Sequence, residues 1–99
     1  MLEIKKIQKD SALEVKLVGR LDTVTAPQLE EVIGGGLEGI TDLTLDFADL
    51  EYISSAGLRV LLSAQKSMMG KGSMVIRNVS DTVMEIFEVT GFSDILTIG

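Results

Sequence analysis

Ninety-nine residues suffice for one compact domain and are too few for two. A net charge of −6 without a basic cluster argues against a nucleic-acid surface and against a polybasic membrane contact. The absence of Cys and His removes disulfides, Cys/His metal sites, His-based triads and Cys–His nucleophiles; a hard-metal site made of carboxylates alone stays open, but no cluster suggests one.

The apolar fraction, 45%, fills a single core, and with three Phe, one Tyr and no Trp that core is aliphatic. The first residues do not form a signal peptide, and no apolar run approaches the ~20 residues of a membrane span. A soluble, cytoplasmic protein is expected.

Leu2 to Gln8 reads as a first strand, and Lys9-Asp10-Ser11 as a turn. From Ala12 to Gly19, Leu13, Val15 and Leu17 alternate with Glu14 and Lys16, so a second strand folds back as an antiparallel hairpin. Thr25 and Gln28 fit a capping box, with Pro27 in the first turn of a helix through Leu29, Val32 and Ile33. On pattern alone Asp22 is a loop residue bonding to nearby backbone. Gly34-Gly35-Gly36 would weaken a helix by about 1 kcal/mol per glycine, so the helix either ends early or is soft there. No Gly-Lys-Ser/Thr follows, so a phosphate-cradling loop is not indicated.

Leu43 to Phe47 reads as a third strand, central because crossovers flank it. Asp46 faces away from Leu45 and Phe47. A receiver-type aspartate would need an acidic pair after the first strand and a late lysine. Ser54 and Ser55 precede a helix from Ser55 to about Met69, and both are good N-cap residues. Its apolar positions are 58, 61, 62, 68 and 69, with Met68 and Met69 filling the core. Gly70-Lys71-Gly72-Ser73 ends it. Met74 to Ile76 is a short buried strand. Asn78 to Asp81 opens a third helix, apolar at 83, 84, 86 and 87, ending at Gly91. Ile95, Leu96 and Ile98 form a last short strand or a docked tail. The fold class is α/β: one domain over residues 1–99, with a mixed four- to five-stranded sheet, an N-terminal antiparallel hairpin, βα crossovers and three main helices.

Three strings, in order, carry a family resemblance over nearly the whole chain. Ile53-Ser54-Ser55-Ala56-Gly57-Leu58 resembles the signature of the STAS domain, in particular that of bacterial anti-sigma factor antagonists. Gly19-Arg20-Leu21-Asp22, leading through Thr23 and Val24 to Thr25-Ala26-Pro27, is similar to the family's loop that lies beside the phosphorylatable serine. Asn78-Val79-Ser80 through Ile86-Phe87 to Gly91-Phe92 is similar to its C-terminal part. The resemblance implies a phosphoacceptor at Ser55. Ser54 stands where many antagonists carry Asp, so two adjacent hydroxyls are present and Ser54 is the second candidate.

The resemblance also implies a partner surface of Asp22, Thr25, Ser54, Ser55, Ala56, Gly57, Leu58 and Arg59. Gly57, lacking a Cβ, would admit a partner backbone or make a tight strand-to-helix turn. Leu58 would pack in the core or make a contact, and Arg59 would be solvated helix surface or interface. The implied partners are an anti-sigma factor with serine kinase activity and a metal-dependent serine phosphatase. In that scheme the protein is substrate and ligand rather than enzyme and needs no cofactor, since ATP and Mg²⁺ belong to the kinase. The other readings are a STAS subunit of an ABC-type lipid transporter, bound to its ATPase without phosphoserine, and a small nucleotide-binding or hydrolytic enzyme. The lack of a P-loop, His and Cys speaks against the last.

Overall fold

The hairpin turns at Asp10, whose φ of 56° is one that Asp visits more readily than most residues. Strand β1 (Leu2–Lys9) pairs antiparallel with β2 (Ala12–Leu21), from Lys9↔Ala12 to Leu2↔Gly19. The computed structural model describes residues 1–99, the surroundings of Gly36 excepted. After β2 come α1 (Ala26–Gly36), β3 (Asp42–Ile53), α2 (Ser55–Met68), β4 (Ser73–Arg77), α3 (Asp81–Thr90) and a 3₁₀ turn at Phe92–Asp94.

The sheet order is β1-β2-β3-β4. Strand β3 lies between β2 and β4 and is parallel to both, as two helical crossovers require. Of the two readings of the C-terminal residues, the docked tail is the one found, with one bridge, Ile98 to Ile76: the Ile76 N–H donates to Thr97 O at 2.9 Å, and the Gly99 N–H to Ile76 O at 2.9 Å.

Strand β3 is longer than the expected Leu43–Phe47, running to Ile53. Its register against β2 slips twice. Lys16 faces Asp46 but Val18 faces Asp49; Gly19 faces Leu50 but Arg20 faces Tyr52. Each slip inserts one extra residue on β3, so burial runs 43, 45, 47 and then 50, 53. Strict alternation therefore stops at Phe47 although the strand does not.

The buried strand residues Leu13, Val15, Leu17, Leu43, Leu45, Met74 and Ile76 share one sheet face. The same core cluster takes Leu29 and Ile33 from α1, Leu61 and Met68 from α2, and Val83 and Phe87 from α3. The Phe87 ring lies 6.3 Å from that of Phe47. All three helices thus cover one face, and Glu14, Lys16, Thr44 and Asp46 on the other keep access to solvent.

Two local expectations are corrected, and one of the two readings of the glycine triplet is removed. Met69 does not fill the core; it is 70% exposed, because it is the C-cap and its backbone is already extended, with ψ 128°. Thr25 and Gln28 form no capping box. The Thr25 hydroxyl points back into the preceding loop, and Gln28 Nε2 donates to Leu2 O at 3.4 Å. Helix α1 does not end before the glycine triplet but continues through it to Gly36. Leu37 and Ile40, 5% and 1% exposed, anchor the chain just beyond, and Lys71 Nζ binds Leu37 O at 2.7 Å.

Gly34 and Gly35 are therefore helical for tertiary reasons, against their propensity. A Cβ at either position would meet nothing within 4 Å. Gly34→Ala and Gly35→Ala are each expected to stabilise the fold by about 1 kcal/mol, read as an increase in the urea midpoint at unchanged m-value.

Candidate functional site

The parallel strands β2 and β3 end side by side, Leu21 opposite Ile53, and helices α1 and α2 start just beyond them. The Ser54 N–H donates to Leu21 O at 2.8 Å. That bond sets the loop of residues 22–25 beside the Ser54-Ser55 pair.

The two serines have different environments. Ser54 is the N-cap of α2, extended at φ −98°, ψ 175°, and its Oγ accepts from the Gly57 N–H at 3.4 Å. Ser55 is the first helical residue and is exposed; its hydroxyl has no protein partner among the described residues. Ser54 thus terminates the backbone ladder, while Ser55 presents a free hydroxyl to solvent. Ser54→Ala is expected to cost about 0.5–1 kcal/mol, the low range for a cap with so long a bond. Ser55→Ala is expected to leave the thermal midpoint unchanged. Parallel melts of the two variants check this.

Asp22 organises its loop. One carboxylate oxygen, Oδ1, accepts from the Val24 N–H at 3.0 Å and the Thr25 N–H at 3.0 Å. The Thr25 hydroxyl accepts from the Asp22 N–H at 2.9 Å, and its proton lies between Arg20 O at 2.8 Å and Asp22 Oδ1 at 3.2 Å. The Thr25 N–H, then the Thr25 hydroxyl and the Val24 N–H, hold the Asp22 carboxyl below the usual carboxylate range. A depressed pKa means that the ionised form belongs to the folded loop. Its stabilisation is present above the ordinary aspartate value of 3.8 and is lost as the pH falls through the depressed one. Carbon-detected NMR titration is expected to place the Asp22 midpoint below 3.8; a midpoint at or above that value would contradict the loop geometry.

Of the residues expected to form a partner surface, Ser55 and Arg59 are exposed, and Asp22, Ser54 and Ala56 are half-buried. Three others turn inward. Thr25 and Leu58 are each 5% exposed, one locked in the loop and the other in the core. Gly57 is buried, and a methyl there would lie 2.8 Å from both Ile53 Cγ1 and Leu21 Cγ. Its missing Cβ makes room for the protein's own core. These three residues lie beneath the exposed side chains rather than among them.

One exposed residue beside the site escaped the sequence reading. Val24, 84% exposed, sits in the loop that Asp22 ties together. The available signal was an apolar residue between two threonines, outside any period. Ala26, Pro27 and Glu30 of α1 also join Ala56 and Arg59 in a shallow groove between the two helices.

The other carboxylates are occupied elsewhere. Asp46 accepts from Asn78 Nδ2 at 3.0 Å and from the Ala48 N–H at 2.9 Å, which lowers its pKa, the Asn78 bond foremost. Asp49 pairs with Lys16 at 3.1 Å, and that contact raises the Lys16 pKa. The Arg20 guanidinium stacks 4.6 Å over the Tyr52 ring.

The family model described as the STAS domain matches residues 3–99. An anti-sigma-B factor antagonist of Staphylococcus epidermidis is 33% identical over 97 residues, covering 96% of this chain and 90% of the relative. An anti-sigma factor antagonist of Mycobacterium paratuberculosis has a similar structure, with TM-score 0.87 and 21% identity over 99% of this chain and 85% of that one. The Bacillus cell fate determinant SpoIIAA, in its phosphorylated form, gives TM-score 0.75 at 18% identity over 100% of this chain and 91% of that one. At these identities the structural likeness speaks for the fold alone.

Proposed function

The chain belongs to the STAS domain family, and on that premise we propose that it is an anti-sigma factor antagonist switched by a phosphate on Ser55. Unphosphorylated, it binds an anti-sigma factor with serine kinase activity in the cytoplasm and so releases a sigma factor. The kinase inactivates it by phosphorylating Ser55, and a metal-dependent serine phosphatase restores it. It acts as ligand and substrate, and ATP and Mg²⁺ are held by the kinase. The observation that carries this reading is the free, exposed hydroxyl of Ser55 at the start of α2, in a chain whose relative is an anti-sigma-B factor antagonist.

Elementary electrostatics explains how such a switch works without a change of fold. A phosphate adds about −1.5 to −2 charge. At a helix N-terminus it gains about 0.3–1 kcal/mol from the backbone dipole. Asp22 opposes part of this, while the charge of Asp49 is already paired with Lys16. The opposing terms are similar in size, so the fold persists. At a protein interface the balance differs. A doubly charged group enclosed without matching cations loses hydration worth several kcal/mol, and each 1.4 kcal/mol is a factor of ten in affinity.

The test is capture with two baits. Unphosphorylated protein is expected to bind an ATPase-fold anti-sigma factor kinase and to ignore the ATPase of an ABC-type lipid transporter. Binding to the transporter ATPase alone would replace this reading with that of a transporter subunit.

A further inference from the structure

Arg59 lies four residues beyond Ser55 on α2, so the two side chains are neighbours one turn apart on the same helix face. Both are exposed. Three other charged side chains near this end are engaged: Arg20 stacks on Tyr52, Lys16 pairs with Asp49, and Asp22 closes its own loop. Arg59 has no ion pair among the described residues. The first turn of α2 carries no acidic residue to compete for it. Glu30 of α1 lines the same groove but is not paired with it.

We infer that Arg59 is the counter-ion of a phosphate on Ser55, its guanidinium turning back along α2 to hydrogen-bond the phosphate oxygens. The inference rests on Ser55 being the phosphorylated residue. The chemistry suits it in two respects. An acidic group N-terminal to a basic one at this spacing is the favourable order on a helix, and a planar guanidinium fork matches phosphate oxygens two at a time. The pairing would also hold the phosphate over Ala56, at the mouth of the groove between α1 and α2. Phosphorylation then changes the surface twice: it adds an anion and withdraws the one unpaired cation that the groove has among the described residues. An arginine in the groove is thus available to a partner only in the unphosphorylated state.

The test uses full-length protein with phosphoserine incorporated at position 55 during synthesis, so it does not depend on any kinase. Phosphorus NMR follows the second ionisation of the phosphate, near pH 6. Arg59→Ala is expected to raise that midpoint by roughly 0.2–0.4 of a pH unit, the equivalent of one helical ion pair, and Arg59→Lys to raise it by less. Lys66→Ala removes the same charge from the last turn of α2, about 10 Å or more away along the helix. It is expected to leave the midpoint unmoved at physiological salt, where the Debye length is about 8 Å. Equal shifts in the Arg59→Ala and Lys66→Ala proteins, or no shift in either, would overturn the pairing. Failure of Ser55 to be phosphorylated in the cell would instead refute the proposed switch, and the NMR result would stand apart from it.

Discussion

Replacing Ser55 by aspartate is expected to weaken binding of the anti-sigma factor about a hundredfold or more, and Ser55→Ala to leave it nearly unchanged. The difference follows from the position of the side chain. Ser55 is exposed, and it is Ser54, not Ser55, that caps α2. Neither substitution therefore touches the core or the cap, and both proteins should melt like the parent. A carboxylate at the helix start is well tolerated in water, where the dipole favours it. Enclosed against a partner it must shed its hydration, a cost of several kcal/mol that an i,i+4 pair with Arg59, worth about 0.2–0.5 kcal/mol, does not offset, and 1.4 kcal/mol is tenfold. Calorimetric titration of both variants against the purified anti-sigma factor measures the ratio. Equal affinities would locate the switch elsewhere.

Gly57→Ala is expected to destabilise the fold by about 1–3 kcal/mol, the range for an extra methyl forced into a packed core. The added carbon would sit 2.8 Å from two buried side chains, Ile53 and Leu21, at the point where β2, β3 and α2 converge. In a domain of about 100 residues each kcal/mol lowers the thermal midpoint by about 4–8 °C. The melt distinguishes two explanations of this glycine. If Gly57 admits a partner's backbone, the variant folds normally and only binding suffers. If it admits α2 against the sheet, stability falls in the isolated protein, which is the expected result.

The contrast shows where sequence reasoning reaches and where it stops. The Leu13-Val15-Leu17 alternation, the Asp10 turn and the Ser80 and Gly91 boundaries of α3 depend on neighbours close in sequence, and they are legible. Strand β3 was not legible past Phe47 because two extra residues break the period of two, and only its pairing with β2 reveals that it continues. Thr25 followed by Gln28 has the spelling of a capping box, yet the hydroxyl prefers Arg20 O and the Asp22 turn, which become available only once β2 has ended there. The continuation of α1 through three glycines is likewise decided by Leu37 and Ile40 seeking the core.

The same limit applies to the site. The segment around Ser55 was visible as a string, and so was the neighbouring Asp22 loop. Which way each side chain faces was not. Gly57 and Leu58 follow the exposed serine by only two and three residues and nonetheless lie on the buried side, because the helix turns about 100° per residue. Val24 is outward for the converse reason: Asp22 closes the loop around its own oxygen and leaves Val24 at the outside.

Phosphopeptide mapping of the protein isolated from its native cells tests the central claim most directly. Arg20 and Arg59 are consecutive basic residues, so trypsin releases residues 21–59 as one peptide, and its fragment ions separate Ser54 from Ser55. The account predicts one phosphate, on Ser55, whose occupancy changes with growth condition or stress. Phosphate confined to Ser54, or none under any condition, would contradict it.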